Sequence, residues 1–113
     1  MEQLLFDRVC LWWKARQARN HRAMYDLAPP SYRKEKSYED FVVDSTMRSR
    51  FDLVSFRIEK ADMSRQEAKV FVAARFDFVR FGTPETVAED PWIKVDGTWY
   101  RKWEPVALPF PKS

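Results

Sequence analysis

Cysteine, histidine and glycine are nearly missing from this chain, and no run of apolar residues is long. A single cysteine, Cys10, excludes an internal disulfide, and its neighbours Val9, Leu11 and Trp12 read as the setting of a buried helix thiol. A single histidine, His21, excludes a multi-histidine metal centre. No Cys-x-x-Cys pair or carboxylate cluster with ligand spacing replaces it, so neither metal nor cofactor is expected. His21 itself reads as an exposed first-turn residue, because Asp26, five positions on, is poorly placed to pair with it on one helix. Gly82 and Gly97 are too isolated for a phosphate loop, and Ser31, Ser37 and Ser45 lack the context of a nucleophile elbow. Nothing approaches the roughly 18 apolar residues of a membrane span, and MEQLLFDR lacks the basic start and apolar core of a secretion signal. The expectation is a cytoplasmic protein, or an extracytoplasmic one if Met1 stands where a signal was removed.

What is abundant is aromatic surface. Nine Phe, five Trp and four Tyr within 113 residues offer enough apolar area to offset the entropy of ordering one domain. That domain is expected over residues 1–104, followed by a proline-punctuated extended tail at 105–113, PVALPFPKS, whose Val106, Leu108 and Phe110 are expected to dock by apolar contact. Basic residues concentrate in the first third, but a net charge of +3 and the absence of a recognition motif favour a solvated helix face over a nucleic-acid site.

The period of the apolar residues is helical first and alternating afterwards. Leu5, Val9, Trp12 and Trp13 recur at three- and four-residue spacing from Leu4 to Arg19, with Asp7, Lys14, Arg16 and Arg19 assigned to the opposite side. Asn20 is placed to cap a second helix carrying Met24 and Leu27 inward, which Pro29-Pro30 ends. Ser37 caps a third, running to about Arg48. In FDLVSFRIEK, Val54, Phe56 and Ile58 face one way, and AKVFVAARFDFVRF reads as one long strand with Val70, Val72, Ala74, Phe76 and Phe78 on a common face. A strand of that length invites a bulge.

The strongest local signal is DPWIKVDGTWYRKW. Asp96-Gly97 supplies the positive φ values of a two-residue type I′ turn, which sets Val95 opposite Thr98, Lys94 opposite Trp99, Ile93 opposite Tyr100 and Trp92 opposite Arg101. Trp92, Trp99 and Trp103 then share a face with Lys94 and Arg101. Those tryptophans are core or cavity wall if the face is concave, and a subunit interface if it is convex.

Helices followed by long antiparallel strands, with WWKARQARNHRAMYDL opening the chain and WIKVDGTWYRKW closing it, resemble the nuclear-transport-factor-2-like superfamily, a cystatin-like α+β roll. The resemblance implies an α+β fold of about three N-terminal helices on a strongly curved antiparallel sheet of about four strands, enclosing a conical cavity. Enzyme relatives such as the ketosteroid isomerases use a Tyr and an Asp at places that fall here on Trp12 and Lys36, so both required groups are absent; Tyr25, Asp26 and Tyr32 are the available substitutes. The leading expectation is a small noncatalytic binding or assembly domain that self-associates, at least as a dimer, or docks on a larger protein through its sheet face, with room for a small apolar ligand. The alternative is a cavity enzyme of isomerase or dehydratase type acting on a small hydrophobic carbonyl or hydroxyl compound. Trp13, Tyr25, Trp92, Trp99, Arg101 and Trp103 are the candidate ligand- or partner-binding residues, and no catalytic residue is assigned.

Overall fold

A computed structural model describes residues 2–103, so the tail expected at 105–113 lies outside the described residues. Helix α1 (Gln3–Ala18) exists because Leu5, Val9, Trp12 and Trp13 form one buried stripe, and it stops where Arg19 turns left-handed at φ 54°. Arg16 belongs to that stripe and not to the solvent side: four residues after Trp12 and seven after Val9, it is only 6% exposed. Asn20 caps α2 (His21–Asp26) by accepting from the Ala23 N–H at 3.1 Å, and Met24 and Leu27 are buried. A further helix, α3 (Pro30–Glu35), follows directly. Pro30 occupies its first turn, where a missing N–H costs nothing, so the proline pair that ends one helix also starts the next. Ser37 caps α4 (Tyr38–Arg48) through the Asp40 N–H, and Phe41 is fully buried.

Strands β1 (Asp52–Met63), β2 (Glu67–Asp77), β3 (Glu85–Val95) and β4 (Thr98–Arg101) form one strongly curled antiparallel sheet in the order β1-β2-β3-β4. The helices precede the sheet and the fold is α+β, with four helices where about three were expected. The hairpin pairs as its turn dictates: Trp92 faces Arg101, Ile93 faces Tyr100, Lys94 faces Trp99 and Val95 faces Thr98, with Asp96 at φ 51° and Gly97 at φ 81°.

Two strand assignments change. The irregularities fall in β1 and not in the longer expected strand: register shifts at Leu53/Ser55 and Ile58/Lys60 turn Leu53 into the core and leave Val54 exposed, while Phe56 and Ile58 still pack inward. Strand β2 ends at Asp77, because the Asp77 carboxylate accepts from the Val79 N–H at 2.8 Å and Val79 takes φ 60°, turning the chain before Phe81.

The core fills the concave side. Leu5, Val9, Trp12 and Trp13 of α1 meet Val70, Val72 and Ala74 of β2, Trp92 of β3 and Trp99 of β4. Side chains at the end of α1 fasten the helix to the start of β1: Arg16 donates to the Phe51 carbonyl at 2.6 Å, Gln17 to Val54 at 2.8 Å, and Arg19 to the Ser49 carbonyl and the Asp52 carboxylate, each at 2.7 Å. The outer sheet face is charged and mixed in sign, with Arg57 between Glu59 and Glu85, and Arg75 also on Glu85.

Candidate functional site

A cavity of about 250 Å³ opens between the C-terminal half of α1, the end of α4 and the concave sheet face. Trp12, Trp13 and Arg16 of α1, Met24 of α2, Arg48 and Ser49 at the end of α4, Phe76 of β2, and Arg101 and Trp103 line it. Arg48 and Trp103 also line an adjoining outer cleft of about 560 Å³ with Tyr32, Glu35, Lys36, Asp40 and Asp44. The two spaces share a wall and differ in charge: three guanidiniums and no carboxylate line the inner one, while three carboxylates and two cations line the outer one.

Register explains how these side chains meet. Arg101 lies opposite Trp92, so its diagonal neighbour on the same face of β3 is Asp90, two residues earlier. Asp90 is 1% exposed; one oxygen accepts from the Trp13 indole N–H at 2.6 Å and the other from Arg101 at 3.2 Å. A buried carboxylate is tolerated only with such partners, and here it joins α1 to the hairpin. The Arg101 guanidinium stacks on Trp12 at 3.8 Å and lies 5.9 Å from Trp103, over which Arg48 sits at 4.6 Å. Trp103 in turn donates its indole N–H to Asp44. Arg16 lies over Phe76 at 5.6 Å, and burial, followed by the nearby Arg19, holds its pKa below the usual guanidinium value against the opposing pull of Asp52.

The sequence-predicted residues divide into two groups. Trp13, Arg101 and Trp103 come together at the cavity. Trp92 and Trp99 are 0% and 1% exposed within the core, where Trp99 donates to Glu2 at 3.0 Å, so neither presents a surface to a partner. Tyr25 is also interior: its hydroxyl donates to the Lys36 and Arg33 carbonyls at 2.6 and 3.0 Å and ties α2 to α3. Trp12 lies on the inner wall and Lys36 on the outer cleft.

Sequence reasoning missed Asp90, Arg16 and Arg48. The first two had a signal: Asp90 shares the strand parity of Trp92, and Arg16 the helical spacing of Trp12. Arg48 had none, because its approach to Trp103 depends on where α4 docks. His21 is half-buried rather than exposed, with Nδ1 3.0 Å from the hydroxyl of Ser45. Ser45 is fully buried, so the pair offers no accessible nucleophile.

Among the described residues no group of His, Cys, Asp and Glu is arranged to hold a metal ion, and no helix is long and apolar enough to cross a membrane. No family model matches the sequence, and no curated protein matches it. Similar solved structures do exist. A SEC-C motif containing protein from Rhodopseudomonas palustris superposes with a TM-score of 0.57 at 20% identity, covering 84% of this chain and 73% of that one. An NTF2-like transpeptidase from Campylobacter jejuni superposes with a TM-score of 0.56 at 14% identity, covering 82% of this chain and 92% of that one. At such identities the likeness concerns the fold alone, and it lends weak support to an NTF2-like architecture for this α+β chain.

Proposed function

We propose that this chain is a small noncatalytic binding domain that takes a small, partly apolar ligand into the cavity between α1 and the concave sheet face. The observation that carries this reading is the make-up of the cavity wall: aromatic rings and guanidiniums, with no carboxylate, imidazole or thiol among its described lining residues. Such a wall binds and orients, but has no group to take up a proton near neutral pH. The test is a titration with small aromatic compounds, followed by NMR of the indole N–H signals. Trp12, Trp13 and Trp103 are expected to shift while Trp99, held on Glu2, stays in place. Absence of any shift at millimolar compound would refute a ligand cavity.

The alternative is a cavity enzyme for a small hydrophobic carbonyl or hydroxyl compound, and it draws on the outer cleft, where Tyr32 stands near Glu35, Asp40 and Asp44. Burial first, then Asp44, pushes the Tyr32 phenol above its usual pKa despite Arg48, leaving it a poor proton donor. Docking through the sheet face is the weaker form of the binding reading, since the ion pairs of Arg57, Arg75, Glu59 and Glu85 occupy that surface.

A further inference from the structure

We propose that the inner cavity is a receptor for the carboxylate of a small aromatic acid, gripped by Arg16 and Arg101 with Arg48 at the mouth. This deepens the binding reading above and rests on it. Three positive side chains line the cavity, and no negative one lines it. Asp90 sits behind the wall and accepts one bond from Arg101 at 3.2 Å. Two donors on the wall remain unanswered: Nη1 of Arg16 and Nε of Arg101 are buried and meet no hydrogen-bond acceptor among the described residues. Native structures leave few buried donors unpaired, and a guanidinium donor costs more than most. Arg16 is 6% exposed and its other terminal nitrogen is committed to the Phe51 carbonyl, so it cannot swing out to water without giving up that bond. Burial lowers its pKa, which is the direction an adjoining anion would reverse.

The ligand class follows from the two kinds of wall. A planar carboxylate matches the fork of a guanidinium, and the flat walls offered by Trp12, Trp13 and Phe76 suit an aromatic body. The outer cleft is the wrong place for the anion, because Glu35, Asp40 and Asp44 outnumber Lys36 and Arg48 there. Charge therefore orients the guest, with its carboxylate inward.

The experiment compares each acid with its own neutral amide in the intact protein: benzoate with benzamide, 2-naphthoate with 2-naphthamide, and indole-3-carboxylate with its carboxamide, measured by calorimetry and by the indole N–H shifts. At least one acid is expected to bind more tightly than its amide by about tenfold or more, since a site built to hydrogen-bond a group rejects the analogue lacking it. That preference is expected to weaken with added salt, to vanish in Arg16→Gln and in Arg48→Gln, and to return in part in Arg16→Lys. Melting curves of the three variants separate loss of binding from loss of fold. Equal binding of acid and amide would leave the cavity reading standing and overturn the carboxylate. Binding of neither would overturn both. Tighter binding of phenyl phosphate than of benzoate would overturn the carboxylate assignment in favour of a phosphate group.

Discussion

Asp90 is the side chain on which the inner arrangement turns. Asp90→Ala would leave the Arg101 guanidinium and the Trp13 indole N–H without their acceptor, and breaking a buried ion pair from one side costs about 3 to 5 kcal/mol. Urea unfolding at neutral pH should show a loss of that size. Asp90→Asn should lose less, because an amide oxygen can still accept from Trp13. Gly97 presents a different kind of constraint. Nothing lies within 4 Å of a Cβ placed there, so space is free and the backbone alone objects, at φ 81°. Gly97→Val is expected to destabilise by about 1 to 3 kcal/mol through that strain, again read from denaturant midpoints. Cys10 gives a pH-dependent outcome. Burial raises its thiol pKa, Lys14 opposes and Asp7 adds. The unfolded thiol, with a pKa of about 8.5, therefore releases its proton first as pH rises, and stability should fall above that value. Iodoacetamide should modify Cys10 more slowly in the folded protein than in urea at the same alkaline pH, and equal rates would contradict the shift.

The helices and strands differ in how openly the residues declare them. Caps are local: Ser37 and Asn20 announce α4 and α2 because a side-chain oxygen three residues before a free N–H needs no distant partner. Ser37→Ala should accordingly cost about 1 kcal/mol, and hydrogen exchange should show the loss concentrated at the Asp40 N–H. The hairpin is local too, since Asp96-Gly97 fixes its register without help from the rest of the chain. Helix α3 was concealed by its own signal, because a proline pair marks the end of one helix and the start of another with the same missing donor. The irregularity near Leu53 was not legible, since choosing Leu53 over Val54 for the core depends on the β2 partner it meets. Three of the cavity's nine described lining residues, Trp13, Arg101 and Trp103, were found as site residues through the hairpin and the helix stripe. Arg16 was lost by placing a charged residue on the wet side of a helix whose spacing put it on the dry one. Arg48 and the outer cleft belong to tertiary packing alone.

The expectation of a dimer rested on having more aromatic surface than one small core can hide. In the folded chain Trp12, Trp13, Trp92, Trp99, Tyr25 and Phe41 are all buried, which weakens that reason, while Phe6, Phe51 and Phe81 stay exposed. The full chain is predicted to scatter light as a monomer at micromolar concentration, and a dimer would direct attention to the exposed Leu4 and Leu11 of α1. The same packing sets a timetable. Glu2 accepts the Trp99 indole N–H, Arg8 donates to the Trp99 carbonyl, and the Arg101 backbone N–H reaches the Leu27 carbonyl, so the opening helices close against β4, the last of the described strands. At ordinary rates of synthesis, α1 waits on the order of ten seconds for that strand to emerge. Throughout that interval the stripe of Leu5, Val9, Trp12 and Trp13 has no β4 to cover it. A nascent chain stalled before Trp99 should therefore be bound by chaperones and cut readily by protease, and release of only the few residues through Trp103 should end both at once.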